Sequence, residues 1–142
     1  MSTTLGVITT GIAAIIAVLT AGQLAANVLR LRHELFERRF EIFKTYQRVL
    51  SRVMREGRVT DEMFQEDYPD LVDAWQRSRF LFQPSLPIYL DEIRTRYLRA
   101  RQIDEERNVA ESYAEVIWLV DQTGTLIDRF RPSMALAFKY LR

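Results

Sequence analysis

The hydrophobic pattern of this chain begins with a long stretch that carries no charge. No charged side chain occurs from Ser2 to Leu29, and Leu5–Leu29 consists almost entirely of apolar and small residues. A bilayer core of about 30 Å requires about 20 apolar helical residues. The pattern therefore predicts a transmembrane helix over residues 1–30, with some length to spare for tilt.

Two other structures can produce a similar pattern. A buried core helix of a soluble protein normally keeps one strongly polar face, which this stretch lacks. A cleaved signal peptide begins with basic residues and has a shorter apolar part, whereas Met1–Thr4 contains neither Lys nor Arg. The sequence therefore favours a membrane span over both alternatives.

Basic residues follow the apolar stretch directly. They are Arg30, Arg32, Arg38 and Arg39. Cytoplasmic flanks of membrane spans are enriched in Lys and Arg, and acidic residues weigh little in this rule. We therefore expect a single-pass protein with its N-terminus outside and the following domain in the cytoplasm. The four arginines are candidate contacts for anionic lipid headgroups.

Small and weakly polar residues occupy one side of the predicted span, in two rows whose members are spaced seven apart. They are Gly6, Thr9, Ala13, Ile16, Thr20, Gln23 and Asn27. Small residues let membrane helices approach closely, and amides bond across such contacts. We therefore expect this stripe to contact another membrane helix, either its own copy or part of a larger complex. The alternative is that Gln23 and Asn27 lie at the headgroup level and need no partner.

After the apolar stretch, hydrophobic positions recur at helical spacing, and no segment alternates as a strand would. Residues 31–142 are therefore expected to form one cytoplasmic helical domain. Its predicted helices cover about 31–56, 60–82, 85–103 and 104–122, followed by a short C-terminal segment. Because neither Gly nor Pro occurs from Leu31 to Glu56, the first helix is expected to continue from the span. The predicted fold class is all-α, an N-terminal transmembrane helix that continues into a small cytoplasmic helical bundle.

Several residues mark the expected helix ends. Gly57 is typical of a C-terminal stop and Thr60 of an N-cap. Pro69 is expected to separate a short helix from a new one, and Gly124 is expected to end the fourth helix. The apolar segment from Met134 to Leu141 is expected to dock on the domain.

Apolar stripes predict which faces of the last two helices are buried. The third helix carries the stripe Leu86, Leu90, Ile93, Tyr97 and Ala100. The fourth helix carries the stripe Val109, Tyr113, Val116, Ile117 and Val120. Their three- and four-residue spacing predicts packing against neighbouring helices.

Composition narrows the chemistry that the chain can perform. The 142 residues contain no cysteine and one histidine, and the net charge is +1. Disulfides, thiol catalysis and thiolate metal sites are therefore excluded, and a Ser-His-Asp site is implausible with its one histidine, His33, beside the predicted span. No phosphate-binding loop or nucleophile motif occurs. We therefore expect no enzyme activity, no cofactor, no metal and no nucleic-acid ligand.

Two clusters of charge have more than one interpretation. Arg94, Arg96, Arg99 and Arg101 form a candidate basic patch for anionic lipid or nucleic acid, or else a solvated face neutralised by neighbouring acids. The acidic stretch comprises Asp61, Glu62, Glu66, Asp67, Asp70 and Asp73. It is interpreted as solvated surface, with a contact for a basic partner as the alternative.

Four short motifs occur in a characteristic order. Leu35–Phe43 (LFERRFEIF) follows the apolar stretch, Ser78–Phe82 (SRFLF) precedes a proline turn, Tyr89–Ile93 (YLDEI) follows that turn, and Arg129–Pro132 (RFRP) lies near the end. The set resembles an uncharacterised family of small bacterial single-span membrane proteins with a helical cytoplasmic domain. The resemblance implies a bacterial cytoplasmic (inner) membrane setting and supplies no catalytic residues.

Together these features predict a non-enzymatic, membrane-anchored interaction module or accessory subunit of a larger membrane complex. Its span would contact other membrane helices, and its domain would bind a cytoplasmic protein. The alternative function is a small membrane effector, a toxin or stress-defence component, in which the small-polar stripe acts on the bilayer.

Overall fold

The fold is all-α, as the helical periodicity predicts. The computed structural model describes residues 2–105 and 108–139, with side chains for 3–105 and 108–134. Within those residues it contains no strand and four α-helices. The helices are α1 (Ser2–Glu56), α2 (Asp61–Leu81), α3 (Ser85–Glu105) and α4 (Val109–Lys139).

The chain divides into two compact units. The N-terminal unit is Met1–Leu35, and the helical unit is Phe36–Arg142. The sequence predicted the boundary between residues 30 and 31, at the end of the uncharged stretch. The boundary between the two units follows compactness instead, so the two positions differ.

The N-terminal unit is a helix whose apolar side chains are not covered. Every residue from Thr3 to Leu31 is exposed. Among the described residues, α1 is the one helix that is long and apolar enough to cross a membrane. None of its most apolar part is buried. A helix that served as the core of this chain would bury that surface.

The connection between α1 and α2 follows the predicted chemistry. α1 ends at Glu56, and Gly57 adopts a φ of 69°, a left-handed conformation that glycine enters without a steric penalty. The Thr60 side chain then accepts a hydrogen bond from the Met63 backbone N–H at 3.2 Å. Thr60 is thus the N-cap that satisfies one of the free donors of α2.

The expected break at Pro69 is wrong, because α2 runs through it from Asp61 to Leu81. Proline removes one helical hydrogen bond, and its ring crowds the preceding turn, at a cost of about 3 kcal/mol. Pro69 lies on the exposed side, where water can satisfy the freed carbonyl, while Met63 and Leu71 on either side are buried. The buried contacts on both sides offset the local defect.

The boundary between the last two helices also differs from the prediction. α3 extends to Glu105, so Asp104 ends one helix instead of starting the next. α4 begins at Val109, after Asn108, whose side-chain oxygen accepts from the Glu111 backbone N–H at 3.4 Å. An asparagine at this position supplies the N-terminal acceptor that the helix needs.

α4 is longer than expected and passes through Gly124 and Pro132 to Lys139. Both residues are exposed, and between them Leu126 and Phe130 are almost completely buried. Tertiary packing therefore holds the helix together where local preference alone would end it. The side chains of the expected docking segment beyond Met134 lie outside the described part of the chain.

The core of the helical unit brings all four helices together, and α3 packs against both α2 and α4. The face that α1 contributes consists of Ile42, Tyr46, Val49, Leu50 and Val53. The stripe predicted for α3 is confirmed, since all five of its residues are buried. The Tyr46 hydroxyl lies 3.2 Å from the Leu90 carbonyl oxygen and 3.3 Å from that of Leu71, which ties α1 to both neighbours.

The stripe predicted for α4 is largely wrong. Val109, Tyr113 and Ile117 are 79%, 66% and 43% exposed. The buried face of α4 consists of Val116, Leu119, Leu126 and Phe130. α4 carries apolar residues on two faces roughly a third of a turn apart, and spacing alone could not tell which one meets the core. We call Val109, Tyr113 and Ile117 the α4 outer row.

Candidate functional site

The predicted membrane-contact stripe is open along its whole length. All seven residues from Gly6 to Asn27 are exposed. A Cβ added at Gly6 would meet nothing within 4 Å, so no contact within the chain requires glycine there. A shallow depression of this unit includes Gly6 but continues through Thr10, Gly11 and Ala14, which the seven-residue spacing did not select.

Polar groups on the N-terminal unit divide into two kinds. The hydroxyls of Thr9, Thr10 and Thr20 donate to the carbonyl oxygens four residues earlier, at 2.7, 2.7 and 2.8 Å. The amides of Gln23 and Asn27 make no side-chain hydrogen bond within the described residues and are exposed. Threonines satisfied in this way are compatible with an apolar solvent, whereas an unpaired amide requires water or a partner.

The arginines after the apolar stretch have different surroundings. Arg30 pairs with Glu34 at 3.3 Å and is 79% exposed. Arg32 makes a contact within the chain. Arg38 is exposed and lines a shallow surface pocket with Arg77 and Phe80.

Arg39 is bound into the helical unit. Its Nε donates to the Leu81 carbonyl oxygen and its Nη1 to that of Ser133, both at 2.9 Å. The guanidinium also lies 5.4 Å from the centre of the Phe82 ring. Partial burial lowers the pKa of Arg39, and its charge is met by carbonyl dipoles instead of a carboxylate. Sequence analysis grouped it with its exposed neighbours because a single row of arginines does not reveal such partners.

An apolar groove lies beside Arg39. It has a volume of about 360 Å³ and is lined by Phe36, Phe40, Phe43, Ile127, Phe130, Met134 and Arg131. Phe40 and Ile127 are 39% and 45% exposed, so the groove is open to the surface. Its size lies at the lower end of small-molecule sites. Sequence analysis placed the α1 phenylalanines in a predicted helix and did not connect them with Phe130.

The candidate basic patch is neutralised within the chain. Arg94 pairs with Asp91, and Arg96 pairs with Glu92 and Glu115. The other two arginines also have acidic partners: Arg99 with Glu115, and Arg101 with Asp61 and Glu105. Three of the four also stack on aromatic rings, so most of these guanidiniums hold helices together.

The acidic stretch contains one buried carboxylate. Asp67 is 1% exposed and accepts from Arg48 at 3.0 Å and from Arg52 at 3.3 Å. The same two arginines reach Asp70 and Glu66 at 2.8 and 2.6 Å. Sequence analysis placed all these acids in solvent, although Asp67 lies four residues from both Met63 and Leu71, which are core positions. This four-residue spacing was the sequence signal from which the burial of Asp67 could have been predicted.

Burial shifts the titration of three core tyrosines. It raises the pKa of Tyr46 and Tyr97, and it raises that of Tyr89 to about 12. The Tyr89 hydroxyl donates to the Gln122 side chain at 2.6 Å, whereas the Tyr97 hydroxyl has no partner within the described residues. The hydroxyls of Tyr46 and Tyr89 thus bond groups of the core.

The described residues contain no group of three or more His, Cys, Asp or Glu side chains suited to a metal ion. Comparison of the chain with models of known protein families, with curated proteins and with solved structures finds no match.

Proposed function

We propose that this protein is a membrane-anchored helical interaction module, or an accessory subunit of a larger membrane complex, without enzymatic activity. The observation that carries the proposal is the N-terminal unit, whose apolar side chains from Thr3 to Leu31 are all exposed. Exposed apolar surface of this extent is unfavourable in water, and a lipid environment removes the penalty. In this proposal the membrane is the bacterial cytoplasmic membrane, with the N-terminus outside.

The span would contact another membrane helix through its small and polar side. Gln23 and Asn27 support this, because amides without a partner are costly in hydrocarbon and bond across helix contacts. The exposed small residues around Gly6 and Ala13 would allow the close approach that such bonds need. We propose a homo-oligomer or a larger complex as the source of the second helix.

The helical unit would bind a cytoplasmic protein through the α4 outer row. Val109, Tyr113 and Ile117 follow one another at four-residue spacing and are all exposed. Apolar anchors at this spacing are typical of helix surfaces that pack on a partner.

The first experiment tests the topology. The chain lacks cysteine, so single cysteines at exposed positions in each unit, Thr3→Cys and Gln47→Cys, can be labelled in intact cells with a membrane-impermeant maleimide. We expect labelling at Thr3→Cys and none at Gln47→Cys until the cells are lysed. Recovery of both variants in the soluble fraction would refute membrane anchoring.

The second experiment tests association. The native complex is purified in mild detergent and analysed by mass spectrometry, with Ala13→Leu plus Asn27→Leu as the stripe variant. Val7→Leu plus Val18→Leu, on the opposite side of the helix at about 100° per residue, is the matched control. We expect the stripe variant to lose its partners and the control to keep them. A monodisperse wild-type monomer would contradict the proposal, and collapse of the membrane potential on expression would favour the membrane-effector alternative.

A further inference from the structure

The apolar groove on the helical unit has an amphiphilic character. Its walls are three phenylalanines of α1 together with Ile127, Phe130 and Met134 of α4. The ring centres of Phe43 and Phe130 are 5.3 Å apart in an edge-on arrangement, which fixes the floor where the two helices meet. One cationic side chain, Arg131, also lines the groove.

Arg131 lines the groove, Arg39 directly precedes the lining residue Phe40 in α1, and Lys44 lies over the Phe40 ring. Arg39 is held through Nε and Nη1 by two carbonyl oxygens, which leaves its Nη2 for another acceptor. Arg131 lines the groove, is 72% exposed and lies 3.8 Å from Asp128, a long and exposed pair that contributes little. Lys44 is exposed and lies 5.1 Å from the centre of the Phe40 ring. An anionic head with an apolar tail would complement this arrangement.

The groove is also close to the proposed span along the chain. Phe36, the first residue of the groove, follows Leu29 by seven residues in the sequence. The cytoplasmic leaflet of a membrane contains anionic lipids, which in the proposed anchoring are a source of such an amphiphile.

We propose that the groove binds an acyl chain of an anionic phospholipid, with Arg39 and Arg131 contacting its headgroup. Arg131 suits this role because a planar guanidinium can bond phosphate through two nitrogens, whereas Arg39, whose Nε and Nη1 donate to carbonyl oxygens, would contribute through Nη2. The phenylalanines would cover the chain, and the flexible Met134 side chain would adapt to its shape. This inference rests on the proposed membrane anchoring, because it takes the lipid from the surrounding bilayer.

The test uses the full chain in vesicles that contain a phosphatidylglycerol with a photoreactive diazirine in its acyl chain, or the matching phosphatidylcholine probe. After irradiation, labelled peptides are mapped by mass spectrometry. We expect labels in residues 36–43 and 127–134, about fivefold more with the anionic probe, as one arginine near an anionic lipid surface provides. Residues 5–29 should be labelled by both probes.

Two pairs of variants distinguish labelling that depends on the groove from labelling caused by general proximity to lipid. Ile127→Glu should abolish labelling of residues 127–134, whereas Ile88→Glu, at a 70% exposed position outside the groove, should leave it unchanged. Arg131→Gln should reduce the preference for the anionic probe, while Arg99→Gln, also an exposed arginine (66%), should not. Circular dichroism verifies that each variant keeps its helical content.

The outcomes distinguish this inference from the proposed function. Labelling of the span without labelling of the groove would overturn the lipid site alone, and no labelling of the span would overturn membrane anchoring. Equal labelling by both probes would overturn the role assigned to the arginines. A dimer seen by native mass spectrometry that Ile127→Glu converts to a monomer, with no lipid label on residues 127–134, would overturn the site in favour of a second copy.

Discussion

Ile15 and Leu19 in the N-terminal unit are 62% and 61% exposed, whereas Leu71 and Leu90 in the helical unit are completely buried. Both pairs are aliphatic residues in helices, so helix formation does not explain the difference. In the helical unit, apolar side chains leave water by packing against other helices of the same chain. In the N-terminal unit the described residues provide no such cover.

Truncating a leucine in each unit gives the largest expected contrast. Leu90→Ala should lower the free energy of unfolding of the helical unit by about 3 kcal/mol, because it removes buried contacts and leaves a cavity. Leu19→Ala should leave this quantity unchanged. Denaturation in mild detergent can be followed by tryptophan fluorescence, since both tryptophans, Trp75 and Trp118, lie in the helical unit. Equal effects of the two variants would remove the distinction between the units.

A charged substitution in each unit tests whether lipid or water surrounds that part of the chain. Ile15→Arg should impair membrane insertion by about 3 kcal/mol on insertion scales, and the protein should become extractable by alkaline carbonate. Phe80→Arg, at a position that is 89% exposed in the helical unit, should stay in the membrane fraction. Normal insertion of Ile15→Arg would show that residues 5–29 do not cross a bilayer.

Charge is buried in the helical unit at Asp67. Asp67→Asn should destabilise that unit by about 2 kcal/mol, because Arg48 and Arg52 lose a buried carboxylate and part of their hydrogen bonding. Asp73→Asn removes an exposed carboxylate, 64% accessible, that pairs with Arg77 at 2.9 Å, and should cost less than about 0.5 kcal/mol. The same fluorescence measurement compares them, and equal losses would argue against a special role of Asp67.

Alkaline pH should weaken only the helical unit. The pKa of Tyr89 is raised to about 12, so above pH 10 the unfolded chain loses this proton while the folded protein keeps it. The contribution of Tyr89 to stability is therefore complete below pH 10 and falls by about 1.4 kcal/mol per pH unit between pH 10 and 12, and the raised pKa values of Tyr46 and Tyr97 add losses in the same direction. Denaturation at pH 9, 10 and 11 should give a shallower slope for Tyr89→Phe, with exposed Tyr113→Phe as the control. Identical slopes would mean that Tyr89 titrates alike in both states.

The smallest expected effect compares two glycines. Gly124→Ala should stabilise the helical unit by about 0.5–1 kcal/mol, because an added Cβ meets nothing within 4 Å in the interior of α4. Gly57→Ala should destabilise it by about 1 kcal/mol, because its φ of 69° strains any other residue. Thermal unfolding followed by circular dichroism measures both. A loss on Gly124→Ala would indicate that this face of α4 is covered by another molecule.

Much of the fold could be predicted from local sequence signals. The all-α class, the end of α1 at Gly57 and the N-cap at Thr60 each depend on backbone preferences of a few residues. The buried stripe of α3 was also predictable, because its apolar residues leave little choice of face. These features depend on neighbours within one or two turns, which the sequence lists directly.

The candidate sites were less predictable, because they depend on contacts between distant segments. The exposed stripe from Gly6 to Asn27 was visible as a pattern, but no contact with a described residue assigns it a role. The role of Arg39 depends on carbonyls at Leu81 and Ser133, which are far away in sequence. The apolar groove likewise exists only where Phe43 meets Phe130.

The sequence by itself determined that the chain is helical and that its first part is apolar and free of charge. Only the tertiary structure decided which of the two apolar faces of α4 is buried and that Asp67 lies inside an arginine network. The tertiary structure also decided that α2 continues past Pro69 and that α4 continues past Gly124. The physical reason is that periodicity assigns residues to a face of their own helix, whereas burial depends on what the other helices place against it.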